Sequence, residues 1–160
     1  LFDKSVMGAP TGLVGENEEW FGSRTLRAAE IPAGNMVTDA RSLAKAYAAA
    51  IGEVDGVRLL TPESVANAST VQTANSTSWG MPEGLEEFGI VAGLGFQVAT
   101  PAADLIGPDT FGHGGAGGSM GCASPSRGLA FSYVMNRMLT EIPNRPRNQL
   151  IMDAVSECAS

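Results

Sequence analysis

Between Phe111 and Gly121 the chain reads Phe-Gly-His-Gly-Gly-Ala-Gly-Gly-Ser-Met-Gly, six glycines in eleven residues with the only histidine of the chain among them. No other stretch constrains the fold as strongly. Glycine weakens a helix interior by about 1 kcal/mol per residue, so this run is not helical. It also loses the most entropy on ordering, and its usual use is to let a second backbone or a ligand come close. A Ser-Pro-Ser-Arg-Gly turn follows, and then an alternating run in which Leu129, Phe131, Tyr133 and Met135 interleave with Ala130, Ser132, Val134 and Asn136. The pattern predicts a glycine-rich strand from Phe111, another over 119–123, a hairpin turn at 124–128 and a well-marked strand after it.

Upstream, Ala40, Leu43, Ala44, Tyr47 and Ile51 fall at helical spacing, with Thr38 as N-cap, Asp39 in the first turn and Gly52 as the stop, giving a helix over 39–51. Thr61-Pro62-Glu63 starts a second helix that runs to about Val71. Residues 1–35 read as irregular, with a turn at 32–35, and 72–90 as a long Ser/Thr/Asn/Gly/Pro-rich loop of the kind that often serves function. Residues 93–98 read as a strand. Pro143 to Arg147 breaks the chain, and a last helix carries the stripe Leu150, Ile151, Ala154, Val155 and Cys158. Helices, then antiparallel strands, then a covering helix make an α+β fold. The division is a helical and irregular segment over 1–90 and a strand-plus-helix segment over 91–160, together one incomplete domain.

Charge narrows the function. A net charge of −7 lacks the basic stripe that nucleic acid requires. No apolar run approaches the ~20 residues of a membrane helix. Cys122 and Cys158 are too few for a disulfide framework or a zinc site and read as buried free thiols, in keeping with a cytoplasmic setting.

Three short motifs match, each without its context. Gly112 to Gly117 fits G-x-G-x-x-G, yet Gly121, Pro125 and Gly128 forbid the helix that would hold a pyrophosphate. Gly117-Gly118-Ser119-Met120-Gly121 fits G-x-S-x-G, but His113 precedes the serine instead of following it. Ser42-Leu43-Ala44-Lys45 fits S-x-x-K, but inside an amphipathic helix, where a solvated face is the simpler reading. His113, between glycines on an exposed strand, faces a cleft more often than a lone histidine usually does.

The run from Phe111 to Gly121, followed by Pro125, Gly128 and Tyr133-Val134-Met135-Asn136-Arg137-Met138, resembles the C-terminal part of the β-lactamase-related serine hydrolases: class C β-lactamases, D-alanyl-D-alanine peptidases and esterases of the same fold. The likeness extends to 28–35, to Arg41-Ser42-Leu43-Ala44, to Leu60-Thr61-Pro62-Glu63 and to Gly93-Leu94-Gly95-Phe96. It implies an antiparallel sheet with flanking helices. The family site has three boxes, a Ser-x-x-Lys nucleophile, a tyrosine and a Lys-Thr-Gly-like strand, and His113-Gly114-Gly115 matches the third. The resemblance then implies that His113 lines the site and that Ala116 offers its N–H to an oxyanion. Too little chain separates Ser42 from His113 for the family's intervening helical domain, no tyrosine in a Tyr-x-Asn setting lies between them, and the 41–51 helix resembles a later helix of the family.

The expectation is therefore a C-terminal portion, starting at Leu1, of a serine hydrolase. Histidine in the third box leans toward a carboxylesterase over a β-lactamase or D-Ala peptidase. The chain is expected to be inactive alone, to act in its parent on a small-molecule ester or amide, and to need no metal or cofactor. An uncovered sheet edge would favour self-association or pairing with the other half. Two alternatives stay open: a non-catalytic module that binds a ligand or partner through the same cleft, and a minimal enzyme that uses Ser42 and Lys45.

Overall fold

A computed structural model describes residues 24–29, 36–73, 91–99, 105–115, 118–136 and 147–159. The chain divides into two compact units, Leu1–Thr38 and Asp39–Ser160. In the first, the described residues include a five-residue helix, α1, Arg24–Ala28, where the sequence suggested only irregular chain. The 32–35 turn lies outside the described residues.

The second unit is a four-stranded antiparallel meander with helices on both faces. In chain order it contains α2 (Ala40–Ile51), α3 (Pro62–Ser69), β1 (Gln97–Val98), β2 (Phe111–Gly114), β3 (Met120–Ser124), β4 (Leu129–Tyr133) and α4 (Arg147–Cys158). The strands lie in the order β1-β2-β3-β4. Phe111 pairs with Ala123, His113 with Gly121 and Cys122 with Phe131.

The α+β expectation holds, and the differences are local. The cap of α2 is Asp39, not Thr38: its carboxylate accepts the Ser42 N–H at 2.8 Å, closing one of the orphan donors of the first turn. Gly52 ends α2 with extended backbone, its N–H on the Ala48 carbonyl at 2.9 Å. Helix α3 starts as expected, with Thr61 capping the Ser64 N–H at 3.1 Å and Pro62 first. It stops at Ser69, short of Val71. The Ser69 and Thr70 hydroxyls bond back to the Val65 and Ala66 carbonyls, and Thr70 is extended.

Successive strand residues alternate between the two faces. On one face stand Val98, Phe111, Ala123 and Ala130, packed with Ala50 of α2, Val65 and Ala68 of α3, and Tyr47, Ile51, Leu60 and Phe96 around them. The small residues Gly121, Ala123, Ala130 and Ser132 let the alanine-rich α2 come close. The Ser132 hydroxyl donates to the Ala40 carbonyl at 2.7 Å, fixing the start of that helix. Phe111 is fully buried, a contribution of about 1.5–3 kcal/mol. On the other face Met120, Cys122, Leu129, Phe131 and Tyr133 pack with Ile106 and with Met152 and Val155 of α4.

Two strands and one helix depart from the sequence pattern. The 93–98 strand shrinks to Gln97–Val98 because Gly93 lies against the Ala68 carbonyl and turns at once, its N–H meeting the Phe96 carbonyl at 2.9 Å, with Gly95 at φ +82°. The strand that starts at Leu129 ends at Tyr133. In α4 the buried side is Met152 and Val155, while Leu150, Ile151 and Cys158 face out. Arg127 decides this face: its guanidinium reaches the Ser156 hydroxyl (2.9 Å) and the Ile106 carbonyl (2.6 Å). Cys122 is buried as expected and Cys158 is exposed, against expectation. Among the described residues no helix is long and apolar enough to cross a membrane.

Candidate active site

His113 is the third residue of β2 and points to the α2 face, two residues after buried Phe111. Its strand neighbours Phe111 and Gly112 are buried, yet His113 is exposed. Opposite His113 stands Gly121, and a Cβ there would run into the Tyr47 ring, with Leu43 Cδ2 at 3.1 Å. The Tyr47 ring therefore occupies the space that a side chain at 121, the cross-strand partner of His113, would take. It is held from behind by Phe111 and Phe96, with ring centroids 6.4 and 6.3 Å away. Burial, then the nearby Cys122, pushes the Tyr47 phenol up to about 12. At neutral pH it is a neutral wall and no base.

The glycines of the ribbon serve different ends. Gly112 has no room for a Cβ, which would meet Cys122 Cβ at 2.5 Å and Cα at 2.6 Å. Gly118 takes φ +105°, a conformation that glycine alone adopts easily, and its N–H closes the turn on the Gly115 carbonyl at 3.1 Å. Gly114 is unlike these. A Cβ there would have ordinary contacts, the nearest at 3.8 Å, and it has no positive φ. Packing does not demand glycine at 114. At Gly115 the space for a Cβ is taken by the hydroxyl end of Ser119. Ala116 lies outside the described residues.

The short motifs resolve on local structure. The described residues after the G-x-G-x-x-G match lead into β3, and no α-helix among them offers its N-terminus to a phosphate. Ser119 likewise precedes a strand, and its carbonyl accepts the Gly115 N–H at 2.8 Å. At Ser42 and Lys45 the two side chains face different partners. Lys45 is ion-paired with Asp55, and the Ser42 hydroxyl and N–H both serve the Asp39 carboxylate, holding it below the usual range.

Two contacts around the ribbon had no sequence signal. The Gln97 side-chain oxygen accepts the Gly114 N–H at 3.1 Å. At the other end of β2, Asp109 accepts from the Ser124 hydroxyl (2.6 Å), the Ser126 N–H (2.7 Å) and the Ser126 hydroxyl (2.9 Å). Burial alone would raise the Asp109 pKa, and these hydrogen bonds outweigh it and lower it.

The antiparallel sheet flanked by helices has counterparts among known proteins. The family described as Beta-lactamase matches residues 3–156. The chain belongs to the Beta-lactamase family. The family member Esterase/beta-lactamase LipL of Mycobacterium tuberculosis is 36% identical over 126 residues, 76% of this chain and 27% of that protein. Among solved structures, a family VIII carboxylesterase superposes with a TM-score of 0.68 at 31% identity, covering 86% of this chain and 36% of its own. EstA from Arthrobacter nitroguajacolicus Rue61a gives a TM-score of 0.66 at 27% identity, with the same coverage. The chain thus spans about a quarter to a third of the length of these Beta-lactamase-family relatives, and its fold is the corresponding part of a serine hydrolase fold.

Proposed function

We propose that the 111–119 ribbon is one wall of an acyl-transfer cleft in a carboxylesterase that works through an acyl-serine intermediate. The observation behind this reading is an exposed histidine followed by a glycine, Gly114, that packing does not require, in a chain whose relatives are an esterase/beta-lactamase and a family VIII carboxylesterase. In the proposed reaction a serine oxygen attacks the ester carbonyl and its proton passes to the departing alcohol. Water then adds to the acyl carbon and releases the acid and the free serine. His113 lines the cleft and assists proton movement or polarises the substrate. The Ala116 N–H is assigned to the oxyanion, a role typically worth about 3 kcal/mol at the transition state.

This reading assigns the nucleophile, its lysine and the tyrosine box to polypeptide beyond these 160 residues; in its support, Lys45 is ion-paired with Asp55 and the Ser42 hydroxyl serves the Asp39 carboxylate. Exposed Leu150 and Ile151 on α4 give an apolar surface that such polypeptide, or a second copy, would cover.

The test uses the full-length gene product that contains these residues, and the 160-residue chain alone. The full-length protein should hydrolyse p-nitrophenyl butyrate and take a fluorophosphonate label on a serine outside the chain, and the 160-residue chain should do neither. An adduct on Ser42, or hydrolysis by the chain alone, would overturn the assignment. Because the LipL name includes beta-lactamase, nitrocefin is the second substrate, and turnover of nitrocefin without ester turnover would replace the esterase reading by a β-lactamase one.

A further inference from the structure

Strand β1 is two residues long and pairs with β2 only at Gln97–Gly112 and Val98–Phe111. β2 runs on to Gly114. Beyond the end of β1, the outer edge of β2 has no backbone partner among the described residues. The ribbon there, His-Gly-Gly, is the part of the sheet with most conformational freedom to lose. The N–H on that edge is nevertheless engaged, because the Gln97 side chain reaches past its own strand and its Oε1 accepts the Gly114 N–H at 3.1 Å. An amide oxygen on a side chain thus replaces the backbone carbonyl that a longer β1 would have supplied. On the opposite edge His113 is already paired with Gly121 and Gly114 with Met120, so Gln97 completes the two-sided support of the strand.

We propose that Gln97 is a positioning residue for the site: it holds Gly114 in the sheet, sets the course of the ribbon on either side of it, and withdraws the Gly114 N–H from the donors available to a substrate oxygen. This rests on the acyl-transfer reading above. It sharpens the assignment of Gly114 in that reading. The glycine is a place of close approach, and its N–H is spoken for, so the oxyanion must be met further along the ribbon. Small displacements of such a wall are costly to a reaction that depends on alignment.

Two variants separate positioning from general stability. Gln97→Leu keeps most of the volume and removes the acceptor. Gln97→Glu keeps an acceptor in the same place. In the 160-residue chain, amide exchange at Gly114 should speed up about fivefold in Gln97→Leu, as expected for loss of a hydrogen bond worth about 1 kcal/mol, and should stay close to the parent rate in Gln97→Glu. In the full-length gene product, Gln97→Leu should lower kcat for p-nitrophenyl butyrate on the order of 10–100-fold with KM within about twofold, and Gln97→Glu should recover most of that loss. A merely structural glutamine would lower the melting temperature and leave kcat per folded enzyme unchanged. Unchanged Gly114 exchange in Gln97→Leu, or unchanged kcat, would overturn the proposal. If the parent protein hydrolyses no ester while the exchange pattern holds, the ester reading fails and the tether stands.

Discussion

Gly121→Ala tests the packing that places His113. A methyl group at 121 would sit within the Tyr47 ring edge, with Cδ2 at 3.0 Å and Leu43 Cδ2 at 3.1 Å. Carbon pairs prefer about 3.5–4.0 Å, so the ring must move. Phe111 and Phe96 stand behind it with centroids 6.4 and 6.3 Å away, and those two rings meet edge-on at 4.9 Å. The strain therefore spreads into the aromatic cluster instead of being relieved by one rotamer. Overpacking of this kind costs about 1–3 kcal/mol. Replacing a strand glycine by alanine returns about 0.5–1 kcal/mol through the unfolded chain. The net expectation is a loss of about 1–2 kcal/mol, read as a lower urea midpoint with unchanged slope. The control is Gly114→Ala, where the nearest atoms would be at 3.8 Å. With no overpacking to offset it, the same gain should leave this variant more stable than the parent by about 0.5–1 kcal/mol. In a Tyr47→Leu background the cost of Gly121→Ala should fall by about 1 kcal/mol or more, since contacting residues couple by that much. If Gly121→Ala costs the same with and without the ring, the account of Tyr47 packed over Gly121, opposite His113, is wrong.

The Asp109 network predicts a pH dependence. Its folded pKa is lowered, so its contribution is fully present above the unfolded value of about 3.9 and is lost as pH falls through the folded value. Asp109→Asn should therefore be less stable than the parent at pH 7, and the gap should close in urea titrations towards pH 3. A gap of the same size at both values would refute the ionised network. The two thiols should also separate. Cys122 is buried, and burial raises its pKa to about 12, while Cys158 is exposed. Ellman's reagent should titrate Cys158 alone in the native chain and both thiols in urea, and rapid native reaction of Cys122 would contradict the packing of the sheet on α4.

The legible parts of this fold are those set by local chemistry. Thr61-Pro62 fixes the start of α3 because cap and proline act within one turn. The glycine ribbon, the 124–128 turn and the alternation after Leu129 put β2, β3 and β4 almost where the sequence places them. What escaped was settled at long range. β1 is short because Gly93 must pass the Ala68 carbonyl, 25 residues earlier in the chain. The face of α4 could not be read because the helix has two apolar sides, Leu150, Ile151 and Ala154 against Met152 and Val155, and the choice falls to Arg127 gripping Ser156 from another element. At the site, His113 stood out as the lone histidine among glycines. Gln97 did not, because a glutamine in a strand carries no sign that its head will serve as the next rung of the ladder.

The pattern of supports around β2 explains how a strand so rich in glycine can present one side chain in a defined place. At the Phe111 end the chain is clamped: Asp109 collects the 124–126 turn, the Thr110 hydroxyl meets the Gly107 carbonyl at 2.6 Å, and Phe111 is fully buried. At the Gly114 end Gln97 holds one edge, and the 115–119 turn closes through the Gly115–Ser119 and Gly118–Gly115 bonds. Between them Gly112 and Gly121 are emptied of side chains by close packing on the two faces. Two glycines that cannot be filled thus flank a backbone pinned at both ends, and between them His113 is exposed. The backbone at 113 is held by its pairing with Gly121 and by the anchors before and after it in the strand, so freedom at this position resides in the side chain, the arrangement a group needs if it is to meet a small molecule without unfolding its own strand.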